Sequence, residues 1–406
     1  FAELVREGSW VQARIDEAIP DRKPLPRADI RKALEAIGPV AVFGASNFPL
    51  AFSTAGGDTA SAFAAGCPVI VKGHPSHPGT HALVSEAIAR AVEKSELPKG
   101  VFSAVHGGIP ASQALVTHPR IKAVGFTGSL QGGKALMELA SKRPEPIPVY
   151  AEMGSVNPLF ILPSALKDDI SKLATTLANS VNLGAGQFCT NPGLIVFQKS
   201  PELDVLLEEL SSAFLGLNPQ TMLNEGIYKH FKHTKSQILS EASVTTIEAQ
   251  DEEESWNGYP AIGRVDASDF IQNDTLHQEV FGPFTLAIIC ENQEEMKAVA
   301  ESIEGQLTGT VMGSEQEIEA ARGLVSIIAE KVGRIIFNGV PTGVEVSHAM
   351  HHSGPFPASS NGMYTSVGTD AILRYARPVC YQNAPDSILP GSLKRSNPLG
   401  IWRKFN

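Results

Sequence analysis

The sequence contains few cysteines and no long uninterrupted apolar run. Only four of its 406 residues are cysteine, namely Cys67, Cys189, Cys290 and Cys380. They are far apart, form no Cys-x-x-Cys pair and have no histidine beside them at metal-ligand spacing. This argues against a disulfide framework or a zinc site and favours a reducing compartment. Charges, glycine or proline interrupt every apolar run before it is long enough to span a bilayer.

Basic residues are in the minority. Lys and Arg number 33 against 43 Asp and Glu, a net charge of −10, which argues against nucleic acid or an anionic membrane as the main partner.

An initial methionine is missing, and residues 1–6 read as the interior of an amphipathic helix, so we expect the natural N-terminus to lie upstream. The length and the 43% apolar content predict a globular protein of two domains, or two domains and a small appendage. The scattered cysteines favour a cytoplasmic location.

Short apolar strands and helices alternate along the chain. The first part predicts strands at 39–43, 68–72, 101–106 and 121–127, and helices at 52–65, 81–94 and 132–141, with another helix beginning at 112–117. The second part predicts strands at 149–153, 159–162, 194–197, 286–290, 309–312 and 334–337, and helices at 168–183, 202–215, 226–240, 292–301 and 315–331. This alternation predicts βαβ units and parallel sheets, and therefore an α/β protein.

Two segments lack a regular pattern. The acidic residues 251–254 are predicted to form a solvated loop. Residues 347–366 are rich in His, Gly, Pro and Ser and are predicted to form an ordered active-site loop.

Cys189 follows a predicted helix in a Gly-rich turn, 184–190. A cysteine in such a turn has free backbone amides around it, which lower the pKa of its thiol and offer an oxyanion site at its own N–H. The alternative for a lone cysteine is a small buried apolar side chain. We expect that alternative for Cys67, Cys290 and Cys380, because cysteine is among the most frequently buried residues.

Two polar residues stand where apolar strands end. Glu152 ends a strand before a Gly turn, at the sheet edge where α/β proteins keep their chemistry. Its structural alternative is a carboxylate that caps a turn. Asn47 follows an earlier strand, and its amide is able to donate to a developing oxyanion.

One further segment has the residues expected at a dinucleotide-binding site. Phe126, Gly128, Ser129 and Gly133 lie where a strand meets a Gly turn and a helix start, which is a seat for pyrophosphate. The spacing is not a true G-x-G-x-x-G, and a plain strand–helix turn would look the same.

Three more residues are candidates for binding the rest of a dinucleotide. Lys72 leaves a buried strand and is able to reach a ribose hydroxyl or a phosphate, although surface lysines are common. Glu279 and Phe281 precede a Gly-Pro turn and are able to hold a ribose and pack against a ring. A purely structural turn is the alternative.

Taken together and in order, these segments resemble the aldehyde dehydrogenase superfamily. The shared motifs are SNFP, VIVK, FTGS-x-x-x-G, E-x-GS-x-NP, GQ-x-C and E-V-FGP. Further segments resemble the subgroup that contains α-ketoglutarate semialdehyde (2,5-dioxovalerate) dehydrogenases and an NADP-linked fatty aldehyde dehydrogenase: GASNFPLAFS, AGGDTASA, KGHPSHPGT, HHSGPFPAS, SVGT, RPVCYQN and NPLGIW.

The resemblance implies an architecture. We expect a Rossmann-like parallel-sheet cofactor domain at 1–153, in which 10–36 form a candidate oligomerisation excursion. A second α/β catalytic domain is expected at 154–366, and 367–406 are expected to return to the cofactor domain or to serve oligomerisation. Family members associate through such exposed strands, so a homodimer or homotetramer is expected.

The resemblance also implies a reaction on a small-molecule aldehyde, with no metal ion. Cys189 would attack the aldehyde, and its N–H and the Asn47 amide would hold the oxyanion. Glu152 would activate the water that hydrolyses the resulting thioester. A histidine of the 347–366 loop would approach the cysteine; His352 is the first candidate, with His348 and His351 as rivals.

The cofactor implied is NADP or NAD. Lys72 and Glu279 would hold the two riboses, Phe281 would pack near the nicotinamide, and Ser129 with the amides around Gly128 would seat the pyrophosphate. Many NAD-specific relatives carry a glutamate three residues after the lysine.

This sequence has Pro75 there, so no carboxylate repels a 2′-phosphate, and NADP or dual use is predicted. The expected substrate is α-ketoglutarate semialdehyde or a similar short oxo-acid aldehyde, and broad or long-chain aliphatic aldehydes are the alternative. Two other classes of protein are less well supported. A non-catalytic relative would lack Cys189 or Glu152, and a cysteine hydrolase would not need the dinucleotide motifs.

Overall fold

The computed structural model describes residues 1–250 and 256–406; the predicted acidic loop at 251–254 lies outside them. The strands are β1 (Arg14–Asp16), β2 (Ile30–Ala36), β3 (Val40–Phe43), β4 (Val69–Lys72), β5 (Phe102–Val105), β6 (Ala123–Thr127), β7 (Val149–Glu152), β8 (Leu159–Ile161), β9 (Leu194–Gln198), β10 (Gln220–Thr221), β11 (Thr245–Ala249), β12 (Asn257–Gly258), β13 (Ala261–Asp266), β14 (Phe284–Cys290), β15 (Gln306–Met312), β16 (Val332–Phe337), β17 (Ala376–Gln382) and β18 (Lys404–Phe405). The helices are α1 (Ala2–Glu7), α2 (Gly57–Ala64), α3 (Pro78–Lys94), α4 (Ile109–Thr117), α5 (Leu130–Ser141), α6 (Ile170–Asn182), α7 (Leu203–Leu215), α8 (Glu225–Leu239), α9 (Ala267–Gln272), α10 (Gln293–Ser302), α11 (Glu315–Ala320) and α12 (Arg322–Lys331). Short 3-10 helices lie at Ser9–Val11, Pro163–Leu166, Asp274–His277 and Thr369–Tyr375.

The first large sheet is parallel and has the strand order β5-β4-β3-β6-β7. Both faces are covered, because successive strand residues point to opposite sides: Val42 packs with Ala62 of α2, and Ala41 packs with Leu136 of α5. The chain order reverses between β3 and β6. In open α/β sheets, ligands bind at the carboxyl ends of the strands beside such a reversal.

The second large sheet has the order β11-β13-β14-β9-β8-β15-β16 and is parallel except for β11. Its strands β14 and β15 are buried along their whole length, with a hydrophobic cluster on each face of the sheet. The predicted α/β class with parallel sheets is therefore confirmed. The segment 153–158, which is almost entirely buried, connects β7 of the first sheet to β8 of the second. The predicted catalytic residue Glu152 ends β7 and directly precedes this connection.

A small third sheet joins distant parts of the chain in the order β17-β2-β1-β18. The strand β17 is at its edge, and Cys380 on that strand is exposed. The prediction that Cys380 is buried was therefore wrong, because it lies on an edge strand of the small sheet. Cys67 and Cys290 are buried, as predicted.

Two predicted helices need correction, and one core strand was missed. The helix predicted at 52–65 is confined to α2, since the preceding residues form turns in which the Ala45 N–H donates to the Phe52 carbonyl at 2.7 Å. The helix predicted at 315–331 is split at Ala321 into α11 and α12. The core strand β13 was missed, because Gly263 and Arg264 interrupt its apolar pattern. Among the described residues, no helix combines the length and the apolarity that crossing a membrane requires.

Candidate active site

Cys189 lies in a tightly constrained loop between α6 and β9. Three successive residues, Gly184, Ala185 and Gly186, have left-handed φ angles of 60°, 56° and 65°. A Cβ atom on Gly186 would lie 2.1 Å from the carbonyl carbon of Gly282, so only glycine allows this approach of the two backbones. The turn therefore places Cys189 against the 279–283 segment, with its side chain partly exposed.

Asn157 anchors the loop that carries Cys189. This residue is fully buried, and its Nδ2 donates to the carbonyl oxygens of Cys189 at 2.9 Å and Asn191 at 3.0 Å. The Cys189 N–H makes no hydrogen bond within residues 1–250 and 256–406. The amide is thus available to a ligand while the carbonyl of the same residue is anchored.

His352 contacts both reactive groups. Its Nε2 lies 3.6 Å from Cys189 Sγ and 3.0 Å from Glu152 Oε1, and its side chain is fully buried. Of the rival histidines, His348 is exposed, and His351 bonds through Nε2 to the Gly362 carbonyl at 3.1 Å. The structure therefore places His352, and neither rival, beside the thiol.

The loop that carries His352 is ordered by the first sheet. It runs along β7, where the Met153 N–H donates to the Ala358 carbonyl at 2.8 Å and the Ser360 N–H donates to the Ala151 carbonyl at 2.9 Å. The His352 N–H donates to Thr365 Oγ1 at 2.8 Å. These bonds explain how an irregular segment holds a buried imidazole in one position.

The electrostatics of the three side chains are coupled. Burial alone would lower the pKa of His352, but the adjacent Glu152 carboxylate and the Cys189 sulfur outweigh it and raise that pKa to about 10. Burial alone would raise the pKa of Glu152, yet contact with His352 and Ser366 holds it below its usual range. Burial raises the pKa of the Cys189 thiol, and His352 opposes part of that rise. The arrangement is a buried imidazolium–carboxylate pair beside a thiol, and the imidazolium stabilises the thiolate form of that thiol.

Ser366 is a functional candidate that the sequence analysis missed. Its hydroxyl donates a short hydrogen bond to Glu152 Oε2, and its N–H donates to the His352 carbonyl at 2.9 Å. Asn157 was missed in the same way. Both residues lie inside motifs that carried the family resemblance, SVGT and E-x-GS-x-NP, which was the available signal.

Asn47 lies at the carboxyl end of β3 and reaches the cysteine loop. Its Nδ2 donates to the Gln187 carbonyl at 2.8 Å, two residues before Cys189. The amide is half-buried and has a second hydrogen to offer. Asn47 is therefore brought into contact with the loop that carries Cys189.

The predicted pyrophosphate residues surround the start of α5. Ser129 caps the helix, and its Oγ accepts from the Gly132 N–H at 3.2 Å. Cβ atoms on Gly128 and Gly133 would lie 2.6 Å from the Phe126 ring and 2.4 Å from Met153 sulfur, respectively. The glycines thus let the turn and the first helical turn pack closely, which leaves a helix N-terminus at the ligand edge of the sheet.

Lys72 and Glu279 flank this edge. Lys72 ends β4, half-buried, and burial lowers the pKa of its ammonium group; among the described residues it makes no hydrogen bond or ion pair. Pro75, three residues later, is exposed. Burial raises the pKa of Glu279 to about 7, and its Oε2 would lie 2.4 Å from a Cβ atom on Gly154. Phe281, two residues on, is half-buried.

These groups fit a dinucleotide. A half-buried ammonium group with no partner among the described residues and a helix N-terminus suit phosphates and ribose hydroxyls, and a carboxylate beside a glycine suits a further ribose.

Comparison with known proteins decides the family. The model of the aldehyde dehydrogenase family matches residues 8–378. The chain belongs to the aldehyde dehydrogenase family. It is thus an NAD(P)-dependent oxidoreductase of aldehydes, as the sequence analysis predicted.

Two relatives of this aldehyde dehydrogenase are similar over the whole chain. Alpha-ketoglutaric semialdehyde dehydrogenase of Acinetobacter baylyi is 47% identical over 408 residues, which cover 100% of this chain and 77% of the relative. Alpha-ketoglutaric semialdehyde dehydrogenase 2 of Azospirillum brasilense is 48% identical over 406 residues, covering 99% and 77%. The chain therefore spans about three quarters of the length of these relatives.

The fold of the dehydrogenase is also that of solved family structures. The NADP complex of glyceraldehyde-3-phosphate dehydrogenase GapN from Methanocaldococcus jannaschii superposes with a TM-score of 0.75, at 21% identity, over 94% of this chain and 78% of that one. At this identity the likeness shows the fold alone.

Proposed function

We propose that this dehydrogenase oxidises α-ketoglutarate semialdehyde (2,5-dioxopentanoate) to the acid through a thioester on Cys189. The substrate is supported by the 47% and 48% identity to the two relatives that bear this name. The mechanism rests on one observation, namely the contact of His352 Nε2 with both Cys189 Sγ and Glu152 Oε1.

The chain's own residues account for formation of the thioester. The Sγ proton passes to solvent, the His352 imidazolium stabilises the thiolate, and the thiolate attacks the aldehyde carbon. The Cys189 N–H and the Asn47 amide stabilise the oxyanion that forms. When bound, a nicotinamide cofactor supplies the acceptor for the aldehyde hydride, whose loss leaves the acyl group on Sγ.

Glu152 serves the second half of the reaction. Its carboxylate takes a proton from water as the water oxygen attacks the thioester carbon. The acid leaves, Sγ returns to the thiolate beside the His352 imidazolium, and Glu152 passes its proton to solvent. Because Ser366 and His352 hold the carboxylate in its ionised form, it is a base throughout the neutral range.

The position of Arg334 on β16 favours a substrate aldehyde that carries a carboxylate. Its Nη2 donates to the carbonyls of Pro341 at 3.0 Å and Gly343 at 3.2 Å, and the Gly343 N–H donates to Oγ1 of Thr190, the residue after the cysteine. Arg334 Nε is buried and makes no hydrogen bond among the described residues. A half-buried guanidinium group so near the thiol suits the carboxylate of an oxo-acid.

The remaining assignments are proposals of the same kind. Lys72 and Glu279 would hold the riboses, Ser129 with Gly128 and Gly133 would seat the pyrophosphate, and Phe126 and Phe281 would pack around them. At Pro75 there is no carboxylate to repel a 2′-phosphate, so NADP is preferred.

The proposed domains are 1–153 for the cofactor, 154–366 for catalysis and 367–406 as a returning segment. The small sheet would pair two subunits of a cytoplasmic homodimer or homotetramer through an exposed edge strand.

The experiment is a comparison of reduced-nicotinamide formation by the wild type, Cys189→Ala and the exposed-thiol control Cys380→Ala, with NAD⁺ and NADP⁺ in parallel. We expect turnover of α-ketoglutarate semialdehyde by the wild type and the control alone, with NADP⁺ favoured. Turnover of hexanal or decanal without turnover of the semialdehyde would favour the aliphatic reading. Reduction by Cys189→Ala would contradict the thioester mechanism.

A further inference from the structure

The three catalytic side chains converge in the manner of metal ligands. Within residues 1–250 and 256–406, Glu152, Cys189 and His352 form the one group of three His, Cys, Asp or Glu side chains whose ligand atoms lie within 4.8 Å of one another. We propose that this trio binds one Zn²⁺ ion and that the ion reversibly inhibits the dehydrogenase by occupying Sγ. The metal site depends on the geometry of the trio and not on which aldehyde is oxidised.

Two of the three ligand-atom separations are close to those of tetrahedral zinc, and the third lies within 4.8 Å. Bonds of about 2.3 Å to sulfur and about 2.0 Å to nitrogen place those two atoms about 3.5 Å apart at the tetrahedral angle. The observed separation of Cys189 Sγ and His352 Nε2 is 3.6 Å. The separation of His352 Nε2 and Glu152 Oε1 is 3.0 Å and has to widen by only a few tenths of an ångström to reach the value of about 3.4 Å that the same geometry requires.

The donor set is also one that zinc prefers. A thiolate, an imidazole and a carboxylate are the three kinds of side chain that bind zinc in proteins, and three protein ligands leave a fourth position for water. Coordination displaces the protons on Sγ and Nε2 to solvent, because thiolate and neutral imidazole are the binding forms. Cys189 is partly exposed, so an ion is able to enter from the side that the aldehyde uses.

The surroundings of His352 set the strength of the site. Its Nδ1 is buried and makes no hydrogen bond among the described residues. Metal-bound histidines normally donate this hydrogen to a carboxylate or a carbonyl, and loss of such a partner weakens metal affinity by about 10- to 100-fold. The ion is therefore held as a reversible inhibitor, and not as firmly as a structural zinc.

The histidines near Lys72 do not offer an equal site. Among residues 1–250 and 256–406 they belong to no group of three ligand atoms within 4.8 Å of one another, and His81 Nδ1 and His77 Nε2 are engaged with Thr54 Oγ1 at 2.7 Å and the Ala45 carbonyl at 2.9 Å. The nearest cysteine in sequence, Cys67, donates from its Sγ to the Tyr375 carbonyl at 3.3 Å.

The first test is a titration of the protein with Co²⁺, whose thiolate charge-transfer absorption in the near ultraviolet reports a Co–S bond. We expect one equivalent to bind to the wild type and to Cys380→Ser, and Zn²⁺ to displace it. Cys189→Ser should abolish the absorption, and His352→Gln and Glu152→Gln should each weaken binding at least about tenfold. Absorption that persists in Cys189→Ser, or that disappears in Cys380→Ser, would overturn the proposal.

The second test does not require the ligand variants to fold. In the wild type, mass spectrometry follows alkylation of Cys189 by iodoacetamide with and without Zn²⁺. We expect Zn²⁺ to slow alkylation at Cys189 and EDTA to restore it, with Cys380 alkylation unchanged. Equal rates at Cys189 would refute the site. Neither readout involves aldehyde turnover, so a wrong substrate assignment would leave both results intact.

Discussion

At the scale of single residues, the active site depends on polar contacts that bridge long stretches of sequence. His352 meets Cys189 across 163 positions, and Ser366 meets Glu152 across 214. The sequence motifs were sufficient to select Cys189 and Glu152 as candidates, because a thiol in a Gly turn and a carboxylate at a strand end are locally recognisable. Ser366 has no local feature of that kind, since a serine after an irregular loop is ordinary.

Ser366→Ala tests whether the hydrogen bond from the Ser366 hydroxyl keeps Glu152 ionised. Removing the hydroxyl removes a donor that keeps the pKa of Glu152 low, so that pKa should rise and the base form should be lost at a higher pH. We expect kcat to fall on the order of tenfold, which is modest for loss of a positioning contact in general-base catalysis. The acidic limb of the pH–rate profile should move to higher pH, while a single-turnover burst of reduced cofactor remains.

The matched control is Ser353→Ala, since Ser353 is equally buried in the same loop but bonds to Ser359 Oγ at 3.1 Å. An unchanged pH profile in Ser366→Ala, or an equal shift in Ser353→Ala, would show that Ser366 has only a structural role.

Arg334→Met tests the recognition of a carboxylate. Loss of the guanidinium group should raise KM for α-ketoglutarate semialdehyde at least about tenfold, the effect of losing about 1.4 kcal/mol of a charge-assisted hydrogen bond. KM for hexanal should change little, because hexanal has no carboxylate. The comparison requires steady-state kinetics with both aldehydes, and Arg322→Met on exposed α11–α12 surface is the control. Equal increases for both aldehydes would argue against this role.

At the scale of elements, the cysteine loop is defined by backbone conformation. A side chain at Gly186 would meet the Gly282 backbone in an unfavourable φ region. We expect Gly186→Ala to lower the free energy of unfolding by about 2–4 kcal/mol and to reduce Cys189 reactivity, because the two backbones must separate.

Gly79→Ala in α3 is the matched control, since a Cβ atom there meets nothing within 4 Å. It should be neutral or stabilising in the same urea titration, because alanine favours helix. A Gly186→Ala protein as stable as the wild type would show that this loop adapts.

At the scale of the whole molecule, the buried pair of His352 and Glu152 couples stability to pH. The pKa of His352 is raised to about 10 in the folded state, against an ordinary value of about 6.5. Its contribution to stability is therefore fully present below about pH 6.5 and is lost as pH rises toward 10. The pKa of Glu152 is lowered in the folded state. Its contribution to stability is therefore present at pH values above the ordinary pKa of a glutamate and is lost as pH falls through the lowered pKa.

Urea unfolding of the wild type and His352→Gln at several pH values measures this coupling. We expect the difference in unfolding free energy between the two proteins to be largest near pH 6 and to shrink steadily toward pH 10. His351→Gln, at a partly exposed position of the same loop, should show no such trend. A difference that is constant over this range would mean that His352 is neutral in the folded protein.

The sequence by itself determined the α/β class, most strands and helices, the family and the two most recognisable reactive side chains. These follow from local periodicity and short motifs, in which neighbours along the chain dictate the outcome. The tertiary structure alone decided that His352, and neither His348 nor His351, lies beside the thiol, that Asn157 anchors the Cys189 carbonyl, and that the two ends of the chain join in one small sheet. It also decided that Cys380 is exposed. These features depend on how separate sheets and loops pack, and packing is set by contacts between residues that no local pattern brings together.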